Sequence, residues 1–153
     1  IANEKLDTIK LITKRSFPPS VIQLHGDESV EYCSELKRKF PTTKLWKAFR
    51  LRSQNDMQKI NEYENIVDAI LLDAWDDKSL GGTGKRVPTE LLTNQNFKSP
   101  WILAGGIYAE IIPEILTKLK PYGIDASSRL ELSPGIKDLD KVESLVRIIR
   151  EQK

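Results

Sequence analysis

The chain of 153 residues is long enough for one domain with a real core, and 30% charged against 39% hydrophobic residues is a globular balance rather than a disordered one. Its 24 basic and 22 acidic residues leave a net charge of +2 with no basic cluster, so it carries no footprint for nucleic acid. No apolar run approaches membrane-spanning length, no signal peptide is visible, and the single cysteine, Cys33, excludes an internal disulfide or a multi-cysteine metal site. A cytoplasmic protein without nucleic-acid or membrane partners is expected.

In chain order, Ile1 to Asn3 reads as the tail of a strand. Asn3 suits a helix cap, with Leu6, Ile9 and Ile12 at helical spacing behind it, and Phe17-Pro18-Pro19 ends that helix. Val21 to Leu24 is a short strand ending at His25-Gly26-Asp27-Glu28. A helix follows, with Val30, Cys33, Leu36 and Phe40 on one face, Asp27 or Ser29 as its cap and Pro41 as its breaker. Cys33 belongs to that apolar face, which makes it a core residue and not a nucleophile. Lys44 to Arg50 is the next strand. Ser53 caps a helix carrying Met57 and Ile60, with Asp56 at the capping-box position.

Asp68 to Asp73 is the third strand. Its apolar run, Ala69 to Leu72, is too short for a helix and has no helical period, so it reads as buried on both faces. It stops at a carboxylate and gives way to Gly81-Gly82-Thr83-Gly84-Lys85. Successive N–H groups in such a loop suit an anion, although an ordinary strand with a flexible glycine turn has the same pattern. Pro88 opens a short helix with Leu91 and Leu92. Trp101 to Ala104 is a fourth strand ending at Gly105-Gly106, followed by a helix marked by Ile111, Ile112, Ile115, Leu116 and Leu119, with Pro113 tolerated in its first turn. Gly123 to Ala126 is a fifth strand, ending at Ser127-Ser128. After Pro134-Gly135 a last helix starts near Asp138, its expected buried face being Leu139, Val142, Val146 and Ile149.

Strands that alternate with helices at this spacing argue a parallel sheet covered by helices. The residues at the carboxyl ends of the strands are chemically distinctive: His25-Gly26, Arg50, Asp73, Gly105-Gly106, and Asp125 with Ser127-Ser128. Active sites lie at those ends in both barrels and open sheets. An open doubly wound sheet is the rival architecture, since five strands do not close a barrel.

Six pieces, in order and spacing, resemble the phosphoribosylanthranilate isomerase family of tryptophan biosynthesis: Gln23-Leu24-His25-Gly26-Asp27-Glu28, Lys47-Ala48-Phe49-Arg50, Leu72-Asp73, Gly81 to Lys85, Leu103-Ala104-Gly105-Gly106 and Ser127-Ser128. The first and fourth together are specific; Ala-Gly-Gly alone is weak. The resemblance implies an α/β fold of the (β/α)8 TIM-barrel family, present here as an incomplete barrel of about five βα units, with residues 1–153 one domain from its C-terminal portion. It implies an Amadori rearrangement of an aminoaldose phosphate to an aminoketose phosphate without metal or organic cofactor. The match begins near the end of the family's third strand. A cysteine on the first strand, the family's general base, and an arginine after the second then lie outside this chain, so the chain alone is expected to be inactive. A non-catalytic phosphate-binding fragment is the alternative reading. Open strand edges are expected to be covered by contacts. The family usually has glycine where this chain has Arg129.

Under this resemblance Asp73 is the expected general acid, because burial disfavours a charged carboxylate and keeps a proton available for the ribose ring oxygen. Its other reading is a loop cap paired with Lys78 or Lys85, and Asp76 and Asp77 read as solvated loop acids. Gly105, Gly106, Ser127 and Ser128 are expected to hold the substrate phosphate, with Gly82 and Gly84 contributing donors or shaping the mouth. His25, the only histidine, is placed in the pocket wall. Arg50 faces substrate or solvent, and Asp125 bonds a ribose hydroxyl or caps the following turn.

Overall fold

The computed structural model describes residues 1–51, 53–74, 89–93 and 95–152. Within them the strands β1 (Val21–Leu24), β2 (Lys44–Leu51), β3 (Ala69–Ala74), β4 (Trp101–Ala104) and β5 (Gly123–Ile124) form one sheet, every neighbour parallel and in chain order. The crossovers carry helices α2 (Val30–Lys39), α3 (Gln54–Tyr63), α4 (Thr89–Leu92) and α5 (Ile112–Lys118); α1 (Leu6–Thr13) precedes the sheet and α6 (Leu139–Glu151) follows it. A parallel pair needs such a crossover because its strands run the same way.

Side chains along each strand divide between two faces. On the helix side, Leu24, Leu45, Leu51, Ile70, Leu72 and Leu103 join Ile9, Leu36, Met57, Ile60 and Ile112 in the main core. On the other face Ala48, Ala69, Leu71, Ile102 and Ala104 form a second buried cluster under Trp46. The run Ala69 to Leu72 serves both, and none of its residues is more than 3% exposed. That is the two-sided burial its unbroken apolar pattern implies.

Local chemistry explains the helix starts. Ser29 caps α2 by accepting from the Tyr32 N–H, and Ser53 opens α3 with a complete capping box to Asp56. Pro113 lies in the first turn of α5, where its missing N–H has no helical partner to lose. Asp138 caps α6 through the Asp140 and Lys141 N–H groups.

Four expectations need correction. Asn3 is not a cap: α1 starts after Lys5, and Asn3 has φ 52° with its groups turned to the β1–α2 loop. That helix ends at Thr13, well before the prolines, with the Thr13 hydroxyl donating back to the Ile9 carbonyl. The fifth strand is two residues long, because beyond Ile124 the chain turns away into a 3₁₀ turn at Ser128–Leu130 and an antiparallel hairpin, β6 (Glu131–Ser133) and β7 (Ile136–Lys137). On α6, Leu139 and Val146 are exposed at 76% and 41%, whereas Leu145 is buried, with Val142, Ile148 and Ile149 partly covered. The expectation for Ile1 holds in hydrogen bonds. Its α-amino group donates to the Gln23 carbonyl at 3.0 Å and its carbonyl accepts from the His25 N–H at 2.8 Å, which is the parallel-ladder pattern opposite Leu24.

Candidate active site

Strand register sorts the inner face into rows. Trp46 lies beside Gln23 and Ala69; one level up, Ala48, Leu71, Ile102 and Gly123 are neighbours; above them Arg50 pairs with Asp73 and Asp73 with Ala104. The apolar rows are therefore a floor, and the first charged row lies at the carboxyl ends of the strands. Asp125 extends that row, since its N–H continues the ladder to the Leu103 carbonyl at 2.8 Å and it alternates with Ile124 onto the inner face. His25 likewise follows Leu24 onto this face, and its Nε2 shares a 2.7 Å hydrogen bond with Gln23 Oε1. Four of the expected site residues, His25, Arg50, Asp73 and Asp125, are thus brought to one end of one face. Asp73 is half-buried, with buried Leu71 and Ala104 beside it, while His25, Arg50 and Asp125 are exposed.

A cleft of about 790 Å³ opens at the ends of β1 and β2, lined by His25, Gly26, Ala48, Arg50 and Tyr63 among others. One wall rests on an ion pair on the helix side of the sheet. Lys47 Nζ lies 3.3 Å from Glu28 Oε2, with both side chains almost wholly buried, and donates to the Gly26 and Ala48 carbonyls at 2.8 and 3.0 Å. Glu28 Oε1 accepts from the Asn3 N–H at 2.8 Å and the Gly26 N–H at 3.3 Å. Burial pushes the Glu28 carboxyl up, but the Asn3 N–H and the Lys47 ammonium outweigh it and hold it below its ordinary value. Sequence reasoning quoted both residues inside motifs and gave neither a task. The available signal was an acid directly following a strand-end turn and a lysine inside an otherwise apolar strand.

The two turns after β4 and β5 leave adjacent strands at the same level. Gly105 and Gly106 have φ of 86° and 64°, a backbone that other residues adopt only with strain. Ser127 and Ser128 open the 3₁₀ turn, and Lys137 of the hairpin donates to both the carbonyl and the hydroxyl of Ser127 at 3.0 Å. This cation at the serine turn is a residue that sequence reasoning missed, because the hairpin that carries it was missed. Arg129 has no positive φ, so it is accommodated without strain, and its guanidinium stacks 5.7 Å over the Tyr108 ring. Gly82 and Gly84, with Asp76, Asp77, Lys78 and Lys85, lie outside the described residues. Cys33 is fully buried on the core-facing side of α2, and burial pushes its thiol up to about 11. Among the described residues no group of three or more His, Cys, Asp or Glu side chains is arranged to hold a metal ion, and no helix is long and apolar enough to cross a membrane.

An acid over an apolar floor, at the carboxyl end of a parallel sheet and next to two small-residue turns, is the arrangement of an α/β enzyme. Comparison with known proteins makes this specific. The chain belongs to the N-(5'-phosphoribosyl)anthranilate isomerase family, whose model matches residues 1–148. The N-(5'-phosphoribosyl)anthranilate isomerase of Crocosphaera subtropica is 42% identical over 149 residues, covering 97% of this chain and 70% of the relative. That of Acaryochloris marina is 48% identical over 124 residues, covering 81% of this chain and 57% of the relative. The crystal structure of the isomerase from Thermotoga maritima superposes with a TM-score of 0.83 at 25% identity, covering 99% of this chain and 71% of that one. The parallel sheet described above is that of these isomerases, and the chain spans between about half and three-quarters of their length.

Proposed function

We propose that this chain supplies the acid and the phosphate cradle for the isomerisation of N-(5'-phosphoribosyl)anthranilate to 1-(2-carboxyphenylamino)-1-deoxyribulose 5-phosphate, in the cytoplasm. The observation that carries this reading is the place of Asp73: last inward residue of the central strand, half-buried over Leu71, between Arg50 and Ala104. Its carboxyl group gives a proton to the ribose ring oxygen as the C1–O bond breaks, and the anthranilate nitrogen lone pair closes a Schiff base to C1. Removal of the C2 proton then sends that electron pair towards nitrogen and gives the enolamine, which tautomerises to the ketone. No oxidant, metal or organic cofactor enters that balance.

The base that takes the C2 proton is not Cys33, whose thiol is buried on the helix side and held protonated far above neutral pH. We assign it to the cysteine of the family's first strand, outside residues 1–153, and read the five βα units as part of an eight-fold barrel. The phosphate sits at the Gly105-Gly106 and Ser127-Ser128 turns, with Lys137, itself paired with Glu131 at 2.7 Å, holding the serine turn in place. His25 and Arg50 form the wall towards the anthranilate end, and Asp125 faces a ribose hydroxyl. The test is Asp73→Asn in the complete isomerase. General acid catalysis contributes roughly 10²–10⁴-fold, so kcat falls by at least about 10² while affinity for a ribose-phosphate analogue stays within about twofold. Near-normal turnover in that variant defeats the assignment.

A further inference from the structure

We propose that the buried Glu28–Lys47 pair is a positioning device of the active site: it fixes the His25–Gly26–Asp27 turn and Asn3 from behind, and so sets His25 at the mouth without touching substrate. The proposal rests on the isomerase reading for its kinetic consequences, but its structural part stands alone. Lys47 alternates with Trp46 and Ala48, so it leaves β2 on the face opposite Arg50 and Asp73 and lies over the Phe49 ring, 5.2 Å from its centroid. Both side chains are 4% exposed or less. They belong to the lining of the cleft that holds His25 and Arg50, but as its buried back wall on the helix side of the sheet.

They do reach backbone in two neighbouring segments, the N-terminal residues and the turn after β1. Lys47 holds the Gly26 carbonyl; Glu28 holds the Asn3 N–H beyond the ladder formed by Ile1, and the Gly26 N–H as well. Asn3 closes the loop by accepting from the Asp27 N–H at 2.8 Å, and the Tyr63 hydroxyl donates to the Glu28 carbonyl at 3.0 Å from α3. Gly26 adjoins His25 and is gripped at both its N–H and its carbonyl. A buried charge pair is often no more stabilising than apolar residues of the same volume, so its value here lies in the backbone groups it fixes. Glu28 Oε2 is buried and meets the Lys47 ammonium at 3.3 Å without a well-aligned hydrogen bond.

The experiment uses three variants, Glu28→Gln, Lys47→Met and the double variant. Two readouts are followed: the imidazole NMR signals of His25, the only histidine in these 153 residues, and steady-state kinetics of the complete isomerase below each melting temperature. The amide oxygen introduced by Glu28→Gln can still accept from Asn3 and Gly26, whereas Lys47→Met leaves the Gly26 carbonyl without its donor. Lys47→Met therefore shifts the His25 signals and lowers kcat/KM by about 10- to 100-fold, mostly through KM. The double variant carries no unpaired buried charge and recovers most of the stability lost by Lys47→Met, yet keeps the displaced His25 signals and the raised KM. It also carries the test if a single variant does not fold. A purely structural pair would behave otherwise: activity and His25 signals would return together with stability. His25 signals unchanged in folded Lys47→Met or in the double variant overturn the proposal. Absence of isomerase turnover in the unsubstituted enzyme overturns the functional reading instead, while the NMR comparison still decides the positioning.

Discussion

Gly26→Ala is the sharpest test of how tightly the loop after β1 is clasped. A Cβ built on Gly26 lies 2.4 Å from Asn3 Oδ1, 2.6 Å from its Cγ and 2.7 Å from its backbone nitrogen. Ordinary contact needs about 3.4 Å or more, so Asn3 must retreat by close to 1 Å. Two hydrogen bonds depend on its present place, the 2.8 Å bond from its N–H to the Glu28 carboxylate and the 2.8 Å bond from the Asp27 N–H to its side chain. A bond to a charged group contributes about 1.5–3 kcal/mol and a neutral one about 0.5–1.5. Gly26 has no positive φ, so alanine regains about 0.4–1 kcal/mol through the unfolded chain. The net expected loss is about 2–3 kcal/mol. Urea unfolding should show it as a lower midpoint with an unchanged slope. Asn3→Gly in the same background removes two of the three clashing atoms and relieves the φ of 52°, so the double variant loses less than the two single variants summed. A Gly26→Ala protein within about 0.5 kcal/mol of the parent, or strict additivity with Asn3→Gly, refutes the clasp.

Two further outcomes are expected. The Cys33 thiol, pushed from 9.0 to about 11, stays protonated in the folded chain after the unfolded chain has ionised, so its contribution is complete below pH 9 and is lost between pH 9 and 11. Two units correspond to about 2.7 kcal/mol, and Cys33→Ala should lack that part of the alkaline slope in pH-dependent urea unfolding. Leu71→Ala opens a hole in the inner floor beneath Asp73 and should cost about 2–5 kcal/mol by denaturant unfolding, whereas a loss below about 1 kcal/mol means that the floor is not closely packed.

The parallel order of the strands was legible because each ends in a residue that punctuates it, and because Ala69 to Leu72 leaves no room for a polar face. That His25, Arg50, Asp73 and Asp125 share one end of the sheet was legible for the same reason: residues just past an apolar run in a parallel sheet end up at one rim. Other features depended on contacts distant in sequence. Asn3 has the side chain of a cap, but a carboxylate 25 residues away takes its N–H. On α6 the spacing through Leu139 and Val146 is as helical as that through Leu145, and only packing against α5 and the 3₁₀ turn at Ala109–Ile111 selects between them. The hairpin did have a local signal, Pro134-Gly135 between Leu132 and Ile136, with Gly135 at φ 82°. Lys137 could have been found through it.

The rows of the inner face have an evolutionary consequence. Arg50, Asp73 and Asp125 occupy the last inward positions of their strands, and the level beneath them is filled by Ala48, Leu71, Ile102 and Gly123, none of which carries a charge. Chemistry and scaffold are therefore written in separate storeys of the same strands. Exchanges at 50, 73 and 125 would change the charge of that rim while the storey below keeps its packing, whereas the Lys47–Glu28 clasp, reaching up from the other face, is the place where the two are coupled.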